Sequence, residues 1–196
     1  MRIESDGQPD YPSNYFPQAA ACHEVYSGAI QNPNRIAPQK QIVDFPLTSD
    51  MTAKTMKGSP VVGLALNGVA IFDNAAAPGD DIFTEAKTFD RCGGHPQMSG
   101  QYHYHGEPFA LSYDDSGFIG VLRDGYQVFG RKDPDGSYPQ LDAFGGHAGP
   151  TVDGTVVYHY HVNEQTSTGT ATSGQKQWFL TNGNYRGTPA ACGTCM

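Results

Sequence analysis

His103 and His105 stand in the tetrapeptide Tyr102-His103-Tyr104-His105, and the same four residues recur as Tyr158-His159-Tyr160-His161. Successive side chains of a strand point to opposite faces, so each copy sends two imidazoles one way and two phenols the other. Neighbouring neutral imidazoles are metal-ligand chemistry, suited to zinc, copper, iron or nickel. A third histidine precedes each tetrapeptide behind a glycine pair, in Gly93-Gly94-His95 and Gly145-Gly146-His147. Of the seven histidines only His23, beside Cys22, falls outside this scheme, and it reads as a surface residue.

The elements that must position these groups repeat as well. Gly63 to Phe72 lines up with Gly120 to Phe129, Phe89 to His95 with Leu141 to His147, and then tetrapeptide with tetrapeptide. Each unit reads as strand, turn, strand, long loop, Gly-Gly-His and a His-x-His strand. The sequence therefore predicts a mainly β single domain: a pseudo-twofold duplicated β-sandwich or barrel with long loops, since neither half alone buries a sufficient core. Repeat one spans about 61–106 and repeat two about 118–162, within a β domain of 41–196. Residues 1–40, polar and proline-rich, read as an N-terminal arm laid over it. Ile42 to Leu47 reads as an edge strand blunted by Pro46. Asn67-Gly68 and Asp124-Gly125 mark hairpins. Asp80 to Phe89 could hold a helical turn capped by Asp80 or Asp81. Asp133 to Gly136 reads as a plain turn, Glu164 to Gln175 as a polar surface loop, and Lys176 to Thr181 as a final strand.

The two halves are expected to bring their histidines together around a shared cation. His95, His103, His105, His147, His159 and His161 are then the metal ligands. Three per ion gives a two-metal centre; four on one ion, from His103, His105, His159 and His161, leaves His95 and His147 as catalytic acid/base groups. Asp90 and Asp142, five residues before His95 and His147, could accept the outer N–H of a ligating histidine. Their blander reading is loop capping before Gly-Gly. For the histidines the blander reading is a set of structural imidazoles bonded to backbone. It is disfavoured because several converging neutral rings without an ion would have to share protons. Tyr102, Tyr104, Tyr158 and Tyr160 face away and read as core rings with solvated hydroxyls.

Composition sets limits on function. A formal charge of −8 with only twelve Lys and Arg provides no basic stripe for a nucleic-acid backbone. No apolar run reaches the ~20 residues of a bilayer-crossing helix. Glycine and proline, at 24 and 14 residues, favour strands and turns over helices. Four cysteines suit an oxidising compartment and disulfide formation without fixing the pairing. The segment Met1 to Pro17 has no apolar stretch of a signal peptide, so either no export occurs or a signal peptide has been removed and Met1 added; the cysteines favour removal, and a secreted or periplasmic location is expected.

At Leu66 to Phe72, Asp90 to Pro96, Gly100 to His105, Asp124 to Gly130 and Leu141 to Val162 the chain resembles the YHYH domain family, exported proteins named for the tetrapeptide. The resemblance implies an exported domain with a histidine-rich metal site and carries over no defined reaction. Where related repeats place a second cysteine near Gly-His, this chain has Phe144.

Three functions fit these residues. The first is a metalloenzyme using a histidine-ligated copper or zinc ion, one or two per chain, for hydrolytic or oxidative work on a small-molecule or polymer substrate. The second is non-catalytic capture of copper or zinc, and the third is a domain stapled by its ion. The number of nitrogens and the lack of a carboxylate among the expected ligands favour copper over zinc.

Overall fold

In a computed structural model, which describes residues 1–25, 30–56, 60–112 and 115–191, fourteen strands and two one-turn α-helices follow one another along the chain. The strands are β1 (Arg2–Ser5), β2 (Gln41–Asp44), β3 (Lys54–Thr55), β4 (Val61–Ala65), β5 (Ala70–Phe72), β6 (Gly94–Pro96), β7 (Tyr102–Tyr104), β8 (Phe118–Leu122), β9 (Gln127–Phe129), β10 (Gly146–Pro150), β11 (Val156–His161), β12 (Asn163–Thr166), β13 (Lys176–Phe179) and β14 (Asn184–Tyr185). The α-helices are α1 (Ile82–Glu85), capped by the Asp81 carboxylate on Phe83 N–H and continued by a 3-10 turn over Ala86–Thr88, and α2 (Phe109–Ser112).

Eight strands form one mixed sheet in the order β10-β11-β9-β8-β4-β5-β7-β6. Its edges, β10 and β6, do not pair with each other, so the sheet is open and, of the two expected forms, sandwich or barrel, the closed barrel is not formed. Read inward from either edge, the order is the same: a Gly-Gly-His strand, a YHYH strand, then a hairpin. The registers agree too, with His95 opposite His103 and His147 opposite His159. Ala70 pairs His103 and Ile71 pairs Tyr104 in parallel, as Val128 pairs Tyr160 and Phe129 pairs His161.

The hairpin strands are apolar because both of their faces are covered. Val62 and Ile71 join the main cluster with Tyr102, Tyr104, Ile119, Leu122 and Tyr160. Val61, Leu64, Ala70 and Phe72 pack against Val43 and Phe45 on the other side. The arm does more than lie over the sheet: Arg2–Ser5 pairs with β2 along its whole length, and Tyr15, Phe16 and Ile36 enter the core. The polar stretch after Val162, expected as a loop, starts as β12 and pairs with β13. Polar residues build a strand there because its partner β13 brings the half-buried Trp178 and the buried Phe179 to the ladder.

Cys22 is exposed and Cys92 buried, and neither is in a disulfide among the described residues. Cys192 and Cys195 lie outside them.

Candidate metal centres

The glycine pair explains how each third histidine reaches its partners. Gly93 and Gly145 take φ of 87° and 83°, a left-handed conformation that disfavours any side chain. A Cβ on Gly94 would lie 2.6 Å from the His103 carbonyl, and one on Gly146 would lie 2.4 Å from the His159 carbonyl. One glycine makes the turn and the next lets the histidine strand close onto the YHYH strand.

Asp90 and Asp142 hold that turn rather than an imidazole. Asp90 Oδ1 accepts from Cys92 N–H at 2.9 Å and Gly94 N–H at 3.3 Å, and Asp142 Oδ1 from Phe144 N–H at 2.8 Å and Gly146 N–H at 3.3 Å. Each also takes the hydroxyl of the first tyrosine of its tetrapeptide, Tyr102 at 2.8 Å and Tyr158 at 3.0 Å. The expectation that they orient ligating histidines is corrected: the rings point to the other face of the strand. Nor are the tyrosine hydroxyls of β7 solvated. Tyr11 of the arm sits between Tyr102 and Tyr104 at 2.9 and 2.8 Å, and burial raises the Asp90 carboxyl and the Tyr102 phenol above their usual values.

The six histidines gather into two groups, not one. His95, His103 and His105 form the first, all buried; His147, His159 and His161 form the second, joined by Asp133. Within each group the ligand atoms lie within 4.8 Å of one another. A single ion shared by the four YHYH histidines is therefore not what this fold builds, because β9, β8, β4 and β5 stand between β11 and β7. The two triads match closely: ring centroids are 4.7 Å apart for His95–His103 and 4.6 Å for His147–His159, and 4.8 Å in both His-x-His pairs.

Backbone carbonyls fix the tautomers. Nδ1 of His103 faces Gln101 O at 3.2 Å, His105 faces Asp73 O at 2.5 Å, His159 faces Val157 O at 3.0 Å, and His161 faces Gly130 O at 2.6 Å. A carbonyl only accepts, so each Nδ1 carries the proton and each Nε2 presents a lone pair. His95 is set the same way. Thr88 Oγ1 gives its proton to Glu85 O at 2.8 Å and so accepts from His95 Nδ1 at 2.7 Å. The amide nitrogen Nδ2 of Asn32 also lies 3.3 Å from this Nδ1.

In the first group the lone pairs of His103 and His105 then face each other, and in the second the lone pair of His161 faces Nε2 of His147, which also lies 3.1 Å from Asp133 Oδ1. Nε2 of His103 and His105 are 3.1 Å apart, and Nε2 of His147 and His161 are 3.2 Å apart. Nε2 of His95 is buried without a hydrogen-bond partner among the described residues, with Glu85 Oε1 3.2 Å away. Protonation does not relieve the crowding. Burial, followed by the neighbouring rings, pushes His103 well below the usual imidazole range, and burial takes His105 and His161 down to about 4.

A cation relieves it. Four ligands about 2.0–2.1 Å from a tetrahedral ion are separated by edges of about 3.3–3.4 Å. In the second group Asp133 Oδ1 stands 3.1, 3.5 and 3.7 Å from Nε2 of His147, His161 and His159. Both groups fit an N-ligated ion, and a carboxylate belongs with the second, which corrects the expectation of histidine alone. The turn containing Asp133 was legible, but its aim at the histidines was not, because only the fold brings the turn after β9 beside β11. Glu85 was missed for the same reason, lying on the expected helical turn.

The first group opens onto a cavity of ≈ 500 Å³, where His103, His105 and Glu85 meet Phe72, Asp73, Ala75, Ala76, Ala77 and Pro78. Phe72 stacks on His103 at 3.9 Å. No helix among the described residues is long and apolar enough to cross a membrane.

A β-sheet domain carrying paired imidazole triads on matched strand registers defines the class. The chain belongs to the YHYH protein family, whose model matches residues 42–140, half of the chain and the whole of the first triad. No curated protein and no solved structure matches it.

Proposed function

We propose that the protein is an extracytoplasmic histidine-rich metal-binding protein with one cation in each triad, and that the first triad is the working centre of a metalloenzyme. The observation that carries this reading is the pair of carbonyl-fixed, proton-free Nε2 atoms of His103 and His105, 3.1 Å apart on the wall of a ≈ 500 Å³ cavity. A zinc or copper ion bound there supplies Lewis-acid or redox chemistry.

The chain's own residues have separable tasks in this reading. His95, His103 and His105 hold the cation through Nε2. Phe72 and the Ala75 to Pro78 wall exclude water and shape the substrate space. Oε2 of Glu85 is buried without a hydrogen-bond partner among the described residues, so Glu85 takes the proton-transfer role expected of His95 and His147. His147 serves instead as a ligand of the second triad. The matched registers support the reading of two related half-domains, and the composition supports the extracytoplasmic location.

The test is turnover by untagged protein, loaded with Zn²⁺ or Cu²⁺, on ester, phosphoester and phenol-oxidation substrates. Turnover should vanish on chelation and in His105→Ala. Glu85→Gln should keep the metal and lose about 100-fold in kcat. Equal turnover with and without metal contradicts the enzyme reading, and metal uptake without turnover on any of these substrates points to a carrier.

A further inference from the structure

We propose that Asp133 is the fourth ligand of the second cation, and that this one carboxylate makes the second centre closed and structural while the first stays open. The inference rests on the reading that each triad holds a cation.

Corresponding positions in the two halves carry the argument. The carbonyl one residue past Phe72, that of Asp73, accepts from His105, and the carbonyl one residue past Phe129, that of Gly130, accepts from His161. The same chain segment therefore backs the same histidine in both halves. Three residues farther on, the second half has Asp133 and the first has Ala76. Asp133 stands 3.1–3.7 Å from all three Nε2 atoms, whereas Ala76 is a wall of the cavity beside His103 and His105.

Asp133 is held for this role. Its N–H donates to Ser137 O at 2.9 Å and its carbonyl accepts from Gly136 N–H at 2.9 Å, a turn that holds the backbone from which the carboxylate projects. Its side chain is 13% exposed, and His159 and His161 are 1% exposed. Three imidazoles and a carboxylate complete a tetrahedron and halve the charge of a divalent ion, which is the composition of a filled site with no vacancy for substrate. The cation ties the turn after β9 to the YHYH strand β11. In the first half the methyl group of Ala76 occupies the corresponding position, and Glu85 Oε1 approaches the Nε2 of His95 alone, at 3.2 Å, so the cavity takes the place of a carboxylate shared by all three histidines.

Co²⁺ is the probe, since its visible absorption reports coordination number; azide reports an open position and EDTA reports release. Metal-free full-length protein should bind two equivalents. One responds to azide and leaves quickly; the other is azide-silent and leaves more than about tenfold more slowly. In Asp133→Asn the slow equivalent should become fast and azide-responsive. Ala76→Asp provides the converse test without touching the second centre: the first equivalent should become azide-silent and slow. Two bound equivalents with unchanged release in Asp133→Asn, or an unchanged azide response in Ala76→Asp, overturn the role of the carboxylate and leave the metal reading standing. Failure to bind Co²⁺ at all overturns both.

Discussion

The two triads are built alike and surrounded differently. Each has a histidine after a left-handed glycine, opposite the first histidine of a YHYH strand, and each has Nδ1–H groups tied to backbone carbonyls. The first triad is buried behind the arm, with Asn32 and Thr88 on His95, and looks into a cavity. The second is nearer the surface, with His147 18% exposed, and looks at a carboxylate. Strand register sets where the imidazoles stand; the loop after each hairpin decides what else can approach. The two halves thus keep one arrangement of imidazoles and differ in what the loop presents to it, Asp133 in one and Ala76 in the other.

The comparison breaks most visibly if the cations are not there. His103→Ala combined with His159→Ala should remove both, and a ligand present at a thousandfold its Kd stabilises by about 4 kcal/mol. For a chain of this size the two cations together, about 8 kcal/mol, correspond to a fall in Tm of roughly 20 °C. A calorimetric scan with equal Tm for the variant and the metal-loaded wild type would deny both centres.

Acid should act on both triads together. His105 and His161 sit at about 4 in the folded protein because burial opposes their charged form, against about 6.5 when unfolded. Their folded values are depressed, so the unfolded chain binds protons first as pH drops. The stability of the metal-free protein is full above about 6.5 and declines between about 6.5 and 4, by a few kcal/mol in all. Urea melts at several pH values check this, and a flat profile would mean that the rings are not held neutral.

Gly94→Ala and Gly146→Ala sharpen the comparison, since each forces a Cβ against a YHYH carbonyl at 2.6 or 2.4 Å. Each should cost about 2–3 kcal/mol. Each should also release cation from its own triad only, measured as metal retained after dialysis. The smallest effect separates the two capping aspartates. Asp90 is buried, with Ser13 and Tyr102 on its carboxylate, whereas Asp142 is exposed. Asp90→Ala should therefore cost about 1–2 kcal/mol more than Asp142→Ala in a denaturant titration.

The repeating hairpins were legible because Asn67-Gly68 and Asp124-Gly125 impose a turn locally, and alternation along Tyr102 to His105 separates phenols from imidazoles without reference to the rest of the chain. What the sequence could not reveal was set by strand order. Matching halves suggested convergence, yet with the YHYH strands paired toward opposite edges the histidines meet within each half. The roles of Asp133 and Glu85 depended on loops passing in front of strands distant in sequence. Asp90 and Asp142 left two readings open, and their backbone partners decided for the cap.

The central claim is two separate centres, one per half. Elemental analysis of untagged protein, in wild type, His103→Ala and His159→Ala, tests it most directly. The account predicts two ions per chain in the wild type and one in each variant; loss of all metal from either single substitution, or none in the wild type, would contradict it.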